Sequence, residues 1–144
     1  MQVAQILSNK GSEVFAIAPE ATVADLVQRL HSHRVGALLV QDDDGRLVGI
    51  VSERDVVRGM ATVAAISQAR VGTIMTADVV SITPNTDVAE LTRLMTERRI
   101  RHVPVIEEGV GVVGLVSIGD VVKIRMDELE SERAALVDYI THGG

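Results

Sequence analysis

The chain has 144 residues, of which 47% are hydrophobic, and it carries a formal net charge of −6 and no cysteine. The length fits one compact domain or two very small ones. The lack of cysteine excludes disulfides, thiolate metal sites and cysteine nucleophiles. The acidic charge, with one Phe, one Tyr and no Trp, counts against a nucleic-acid or anionic-membrane surface and against base stacking.

The sequence shows no targeting or membrane-spanning segment. The N-terminus lacks a basic stretch ahead of an apolar run. No apolar run approaches the ~18 residues that a membrane span needs. We therefore expect a soluble, cytoplasmic protein.

The first elements of the chain are predicted to be a helical turn, a strand and a helix. Residues 1–8 have helical spacing of apolar residues, and residues 9–12 have the composition of a loop. Residues 13–18 are predicted to form a strand. The next helix is expected to begin after Thr22, an N-cap residue with Asp25 at the third position.

Two strands and a helix are predicted next. Residues 36–40 form a continuous apolar run, and residues 47–51 are predicted to return as the partner strand after a turn at residues 42–45. A helix is expected from Ser52 to about Met60. The connection that follows is rich in alanine and is predicted to be partly helical.

The second half of the chain repeats the first. Residues 49–55 (Gly-Ile-Val-Ser-Glu-Arg-Asp) match residues 114–120 (Gly-Leu-Val-Ser-Ile-Gly-Asp) at an offset of 114 − 49 = 65. The match runs without a gap from Pro19 and Pro84 through Arg58 and Lys123. In this copy the predicted elements are strands at 79–82, 103–106 and 112–116, a helix at 88–99 with Asp87 as its N-cap, and a last helix from Ile118.

The repeat fixes the predicted fold class. Each copy is a β-α-β-β-α unit, so we expect an α+β protein of two tandem repeats. A unit of about 60 residues buries too little surface to be stable alone, so the two copies are expected to share a core. We divide the chain into repeat 1 at 1–65, repeat 2 at 66–125 and a C-terminal helical extension at 126–144.

The last helix continues past the repeat. Met126, Leu129, Leu136 and Ile140 lie close to a heptad-like stripe, and neither Gly nor Pro interrupts residues 120–140. The stripe suggests packing on a second copy of the protein. The alternative is that the helix folds back on its own core.

The repeated pattern resembles a pair of CBS domains, a family named after cystathionine β-synthase. The resemblance rests on the repeated Gly-x-x-Ser-x-x-Asp motif, on Arg-His-Val-Pro-Val at 101–105 and on Ile-Met-Thr at 74–76, and it runs from about Val3 to Ile124. It is greatest to small stand-alone bacterial members. It implies a pseudo-twofold module whose two clefts bind adenosine compounds: AMP, ADP, ATP, NAD or S-adenosylmethionine. It also implies a disc-like homodimer that regulates and seldom catalyses.

The Ser and Asp of the motif lie at a predicted junction between a strand and a helix. Free N–H groups at a helix start attract anions, and a carboxylate one turn in accepts hydrogen bonds from vicinal ribose hydroxyls. The same pair forms a capping box, a structural role worth about 1 kcal/mol. In the family the aspartate holds the ribose. We therefore favour nucleotide binding by Asp120 with Ser117, and by Asp55 with Ser52.

Basic residues near the motif differ between the copies. Arg98 and Arg99 are explained by the negative end of a helix dipole. By the family pattern, Arg101 and His102 face the cleft and contact phosphate, which suits the bidentate arginine side chain. The first copy has Gly and Ala at positions 36–37. The two sites therefore cannot be equivalent.

Two further cations have open roles. Arg54 either reaches phosphate from the helix start or pairs with a surface acid. Lys10 is either a further phosphate contact or a solvated loop lysine. The adenine needs an apolar slot edged by backbone groups. The strand residues that fit this need are Val80, Ile82, Val103 and Pro104 in the second copy, and Phe15 and Ala37 in the first.

Other chemistry is not indicated. His31 and His33 face different sides of a helix and make a poor metal pair, and residues 42–44 lack the spacing of a calcium loop. No P-loop, dinucleotide fingerprint or catalytic motif is present. We expect a regulatory module, not an enzyme, that needs no catalytic cofactor, binds an adenine nucleotide and acts on a protein partner in trans. The alternative is a constitutive scaffold whose clefts are vestigial and whose C-terminal helix is the working surface.

Overall fold

A computed structural model describes residues 1–143, which form six α-helices, five strands and a short 3-10 turn. In chain order the elements are α1 (Val3–Lys10), β1 (Ala16–Ile17), α2 (Val23–His33), β2 (Ala37–Gln41), β3 (Leu47–Ser52), α3 (Glu53–Thr62), the 3-10 turn (Ile66–Gln68), α4 (Val71–Ile74), α5 (Val88–Arg98), β4 (His102–Glu107), β5 (Gly111–Ser117) and α6 (Ile118–His142). This architecture confirms the predicted α+β fold class.

The elements fall into two compact units. The first-repeat unit is Glu13–Val80, and the second-repeat unit is Met1–Ser12 together with the described residues from Ser81 onward. Each unit has its own hydrophobic core cluster. The expected single core is therefore replaced by two.

The first-repeat unit is built on a three-stranded sheet. Strand β1 pairs parallel with β2, and β2 pairs antiparallel with β3. Leu26 and Leu38 are fully buried in the core beside this sheet. The N–H of Asp25 donates to Oγ1 of Thr22 at 3.1 Å, and the N–H of Thr22 donates to Oδ2 of Asp25 at 3.3 Å. Thr22 is thereby confirmed as the N-cap of α2.

The second-repeat unit has a two-stranded antiparallel sheet of β4 and β5. The predicted strand at 79–82 is wrong in extent, because only an isolated parallel bridge joins Ile82 to Val105. The reason lies in β4. In the first repeat the N–H of Leu39 donates to the carbonyl of Phe15 at 3.1 Å. The residue that matches Leu39 is Pro104, which has no N–H to donate.

The start of α5 is held by the chain terminus. Asp87 precedes this helix, but its side chain makes no capping bond, so its predicted capping role is wrong. Its Oδ1 lies 3.4 Å from the terminal amine of Met1, and the N–H of Val88 donates to the carbonyl of Met1 at 2.9 Å. The N-terminal residue thus satisfies a helix end that the aspartate was expected to cap.

Each repeat's leading helix completes the core of the other unit. Val3 and Ile6 of α1 are buried in the second-repeat unit, where the N–H of Val3 donates to the carbonyl of Thr86 at 2.9 Å. Val71 of α4 is buried in the first-repeat unit, and its N–H donates to the carbonyl of Ala21 at 2.8 Å. The repeats of the sequence and the compact units of the structure therefore divide the chain differently. The boundaries at 65 and 125 stay a prediction.

Helix α1 lies two residues later in the chain than predicted. It continues to Lys10, so residues 9 and 10 are helical where a loop was expected. Gly11 then ends the helix with a φ of 90°, a conformation that glycine adopts without the strain of a side chain.

Most of α6 beyond Ile124 is exposed. The side chains of Leu129, Leu136 and Ile140 are 64%, 62% and 77% exposed. The alternative in which this helix folds back on its own core is therefore wrong.

The glycine that opens the repeated motif is required by close packing. A Cβ built on Gly49 would lie 2.6 Å from Sδ of Met75 and 3.0 Å from the carbonyl oxygen of Thr76. Thr76 cannot easily shift, because it exchanges two backbone hydrogen bonds of 3.0 and 2.9 Å with Ile50. The segment after α4 therefore lies on β3 at a place where only a glycine fits.

We predict that Gly49→Ala lowers the free energy of unfolding by about 1–3 kcal/mol, because the added methyl group overpacks a fixed backbone. Urea unfolding followed by circular dichroism measures the change. Gly119→Ala is the matched control, since its Cβ would meet nothing closer than 3.6 Å, and alanine is the better helix former. A Gly49→Ala variant as stable as Gly119→Ala would contradict this packing.

Candidate functional site

The candidate site of the second-repeat unit is the junction between β5 and α6. The N–H of Asp120 donates to Oγ of Ser117 at 3.2 Å, and the N–H of Ser117 donates to Oδ2 of Asp120 at 2.8 Å. This reciprocal pair is the predicted capping box. It fixes the carboxylate at the N-terminus of α6, directly after β5.

Lys10 reaches this junction from the end of α1. Its ammonium donates to Oδ2 of Asp120 at 2.7 Å and to the carbonyl oxygen of Leu115 at 2.8 Å. The interpretation of Lys10 as a solvated loop lysine is wrong, because the residue is helical and paired with the aspartate. Both partners are partly buried, with side-chain exposures of 34% for Lys10 and 21% for Asp120.

The pairing controls the charge of Asp120. Burial of the carboxylate by itself raises its pKa, but the hydrogen bonds and charge of Lys10 and the N–H and hydroxyl of Ser117 together outweigh that effect. The pKa of Asp120 is therefore lowered below its ordinary value. The group is an anion at neutral pH, and it sits beside a cation.

Arg101 and His102 lie next to the same junction. The N–H of Ile118, the first residue of α6, donates to the carbonyl of Arg101 at 2.8 Å. His102 is the cross-strand neighbour of Ser117 in the β4–β5 ladder. The structure thus brings Arg101, His102 and Ser117 together at one end of the sheet, as the sequence predicted.

The predicted adenine-lining residues of this unit are inward residues. Val103 is fully buried and Ile82 is 7% exposed, and both belong to the core cluster. Pro104 is also buried. Their side chains are therefore buried within the unit and do not form an exposed surface at the junction.

The first-repeat unit carries the equivalent junction between β3 and α3. The N–H and the hydroxyl of Ser52 donate to Oδ2 of Asp55 at 2.8 and 3.1 Å. The N–H of Glu53 donates to the carbonyl of Gly36 at 3.0 Å, matching the Ile118–Arg101 bond of the other unit. Ala37 is the cross-strand neighbour of Ser52.

The remaining predicted residues of this unit lie at different places. Arg54 is the second residue of α3 and is half-buried. Phe15 stacks on the imidazole of His33, with ring centroids 3.8 Å apart. Val80, which was predicted for the second copy, is half-buried and is the last residue of the first-repeat unit.

A depression that the sequence did not predict lies beside the first-repeat junction. Its volume is about 590 Å³, and it is lined by Leu30, His31, Ser32, Arg34, Val35, Gly36 and Glu53. Gly36 stands where the second repeat has Arg101, so the missing side chain leaves space there. A glycine at position 36 predicts free volume as well as the loss of a charge, and this signal could have indicated the depression.

The two junctions share a backbone and differ in charge. In the second-repeat unit Lys10 pairs with Asp120, and the exposed Arg101 contacts the start of α6 through its backbone carbonyl. The first-repeat junction has Gly36 and Ala37 at the positions that match Arg101 and His102. A phosphate is an anion that arginine and lysine bind well. The second-repeat junction therefore carries more basic residues than the first-repeat junction.

Two repeated strand–helix junctions on an α+β scaffold define the class of protein. The CBS domain family model matches residues 3–62 and 71–127. The chain belongs to the CBS domain family, which confirms both the resemblance and the tandem repeat.

Known relatives agree with this assignment. The CBS domain-containing protein CBSX3, mitochondrial, of Arabidopsis thaliana is 41% identical over 127 residues, which cover 85% of this chain and 61% of that protein. The crystal structure of the CBS-domain containing protein ATU1752 from Agrobacterium tumefaciens is 40% identical, with a TM-score of 0.84, and the match covers 87% of this chain and 99% of that one. This chain thus spans about three fifths of the plant protein's length.

A third similarity concerns the fold alone. The CBS domain pair of protein MJ0100, solved in complex with 5′-methylthioadenosine and S-adenosyl-L-methionine, is 23% identical with a TM-score of 0.78. The match covers 89% of this chain and 98% of that one.

Candidate metal-binding clusters and membrane-spanning helices are both absent from residues 1–143. No group of three or more His, Asp or Glu side chains in this range is arranged to hold a metal ion. None of the helices in the same range is long and apolar enough to cross a membrane.

We predict that Lys10→Met lowers the free energy of unfolding at pH 7 by about 0.5–1 kcal/mol, the usual size of a partly exposed ion pair. Because the folded-state pKa of Asp120 is lowered, the stability that the pair contributes is present above the unfolded pKa of about 3.9. It is lost as the pH falls through the folded pKa. Urea titrations of both proteins from pH 7 to pH 3 should therefore begin to converge below about pH 4.

Two variants control this experiment. Lys123→Met removes the same charge from an exposed position of α6, and Lys10→Arg keeps a cation at Asp120. Neither should show the pH-dependent loss. A deficit of Lys10→Met that stays constant from pH 7 to pH 3 would mean that Lys10 stabilises the unit without its charge.

Proposed function

We propose that the protein is a regulatory module that binds an adenine nucleotide at its strand–helix junctions, foremost at the second-repeat junction. The observation that carries the proposal is the grouping of Lys10, Arg101, Ser117 and Asp120 at one helix start. It combines a carboxylate that can accept hydrogen bonds from a sugar with basic side chains that can donate to phosphate, all at the start of α6.

The ribose is the first part of the ligand that this grouping fits. Two hydrogen bonds already end on Oδ2 of Asp120, from Ser117 and Lys10. A carboxylate has roughly four lone-pair directions, so it can accept further bonds from two vicinal hydroxyls. Because the capping box holds the carboxylate still, little side-chain entropy is lost on binding.

The phosphates are the second part. A lone aspartate would repel a phosphate, but Lys10 neutralises Asp120 and Arg101 adds a further positive charge. The first N–H groups of α6 contribute positive potential at the same place. We therefore assign the phosphate contacts to Arg101 and Lys10, with His102 beside them.

The adenosyl class of ligand is supported by family membership. The MJ0100 pair was solved with two adenosyl compounds. In this chain AMP, ADP, ATP and NAD suit the cationic second-repeat junction. S-adenosylmethionine, which has no phosphate, suits the first-repeat junction of Ser52, Asp55 and Ala37 better.

The mode of action that we propose is regulatory. Ligand stabilises the arrangement that binds it by RT ln(1 + [L]/Kd). It thereby shifts the surface that a homodimer presents to a protein partner in trans. We propose no catalytic role, and the compartment that we propose is the cytoplasm.

A second candidate is a constitutive scaffold. The observation in its favour is the exposed apolar surface of α6, which is a ready contact for another protein. Thermal shift assays with AMP, ATP, NAD and S-adenosylmethionine separate the two functions. A rise in Tm with one of them supports sensing, and no response to any of the four supports scaffolding.

We predict that Asp120→Asn weakens ATP binding at least tenfold, because a hydrogen bond to a charged acceptor is worth about 1.5–3 kcal/mol. Isothermal titration calorimetry measures the Kd. Asp25→Asn is the matched control, because Asp25 completes the same capping box at α2. Equal affinities of the two variants would remove Asp120 from the site.

We predict that Arg101→Ala weakens ATP binding about tenfold or more while it leaves adenosine binding within about twofold, since a phosphate–arginine pair is lost and the ribose contact is kept. Competition against a labelled nucleotide gives both affinities. Arg98→Ala, at an exposed position of the preceding helix, is the control. An equal loss of affinity for ATP and for adenosine would show that Arg101 does not contact the phosphates.

A further inference from the structure

The exposed face of α6 has the spacing of a coiled coil. Six residues follow one another at intervals of four, three, four, three and four: Val122, Met126, Leu129, Arg133, Leu136 and Ile140. We call these six residues the α6 stripe. An average spacing of 3.5 residues keeps a stripe facing one partner helix along its whole length.

The apolar members of the stripe are well exposed. Their exposed fractions run from 52% at Val122 to 77% at Ile140. A contiguous apolar surface of this kind marks an interaction site, whereas scattered exposed residues do not. Four of the six residues lie beyond position 127, where the CBS domain match ends. Most of the stripe therefore lies beyond the matched domain.

The charges beside the stripe favour a second copy of the same helix in parallel. In heptad terms Met126 and Arg133 are a positions, Arg125 and Glu132 are g positions, and Glu130 is an e position. In a parallel pair, a g residue meets the e residue five positions later in the partner. Arg125 also donates to Glu128 of its own helix at 3.0 Å. In the parallel pair it lies between that residue and Glu130 of the partner subunit, and this attraction occurs twice by symmetry.

The polar centre of the stripe fits the same arrangement. Arg133 lies at an a position, where a single polar residue fixes register and orientation at some cost in stability. Its guanidinium reaches the rim, beside Glu132 of the partner subunit. In an antiparallel pair, each of the six stripe residues packs against a stripe residue of the partner only when Val122 lies opposite Ile140. That register brings Glu130 against its own copy, a repulsive contact.

We infer that α6 pairs in parallel with α6 of a second copy through the stripe, and that this contact holds the homodimer together. The inference specifies the dimer assumed in the proposed function. Its test is independent of that function, because it needs no nucleotide.

Disulfide trapping tests the orientation. The chain has no cysteine, so a single Leu136→Cys places one thiol per protomer at a d layer. Mild oxidation should give a disulfide-linked dimer in high yield, because equal layers face each other in a parallel pair. Ser131→Cys, on the opposite side of the helix, is the control and should not cross-link. Equal yields from the two variants overturn the parallel pairing.

Charge exchange tests the register. Glu130→Arg should weaken the dimer about tenfold in Kd, since two attractive pairs become repulsive. The double variant Arg125→Glu with Glu130→Arg should restore the wild-type Kd within about threefold. Sedimentation equilibrium measures both constants. A double variant no tighter than Glu130→Arg overturns the Arg125–Glu130 pairing.

Removal of the stripe tests its energetic role. Leu129→Glu with Leu136→Glu should give monomers at concentrations where the wild type is dimeric. Ser131→Glu with Ala134→Glu adds the same charge off the stripe and should stay dimeric. Circular dichroism confirms that the variants are folded. A monomeric wild type, or an unchanged mass of the first variant, overturns the inference, and ATP titration of each variant reports separately on the proposed nucleotide site.

Discussion

The exchange of leading helices is the constraint on which the rest of the structure depends. A repeat of about 60 residues buries so small a share of its surface that it is only marginally stable alone. Helix α1 supplies Val3 and Ile6 to the second-repeat unit, and α4 supplies Val71 to the first-repeat unit. The glycine of each repeated motif exists for the same reason, because a Cβ on Gly114 would lie 2.5 Å from Leu7 of α1. Folding of either repeat thus requires a segment that precedes the other in sequence.

The exchange also shapes the candidate site. A capping box alone would serve only to start α6. Because α1 packs on the second-repeat unit, its last residue places an ammonium 2.7 Å from Asp120. The first-repeat junction has the same Ser–Asp geometry, with Gly36 and Ala37 in place of the second repeat's Arg and His. The two junctions of a duplicated sequence thereby acquire different charges, although their backbones match at an offset of 65 residues (120 − 55 = 65).

The sequence predicted what is local and periodic. Apolar spacing, cap residues and the 65-residue offset gave the fold class, most of the element bounds and the pairing of Ser117 with Asp120. Packing between distant segments was not predictable in this way. Lys10 and Asp120 are 110 residues apart, and no local pattern joins them. Asp87 looked like a cap because its residue type is right, yet the terminal amine of Met1 competes for it. The strand predicted at 79–82 is reduced to an isolated bridge at Ile82. We attribute this to Pro104, which has no N–H to donate, and that effect can be recognised only once the strand order is known.

A single helix connects the two proposals. Asp120 lies in the first turn of α6, and the stripe occupies the turns that follow to Ile140. No Gly or Pro interrupts the helix between them, so it has none of the usual causes of a kink. A change in tilt at the first turn is therefore carried to the stripe, where 20 residues at 1.5 Å per residue span about 30 Å. If nucleotide tightens or loosens the dimer by some factor, thermodynamic linkage requires dimerisation to change nucleotide affinity by the same factor. The proposed ligand site and the proposed dimer contact thus lie on one helix, the helix that ends the second repeat.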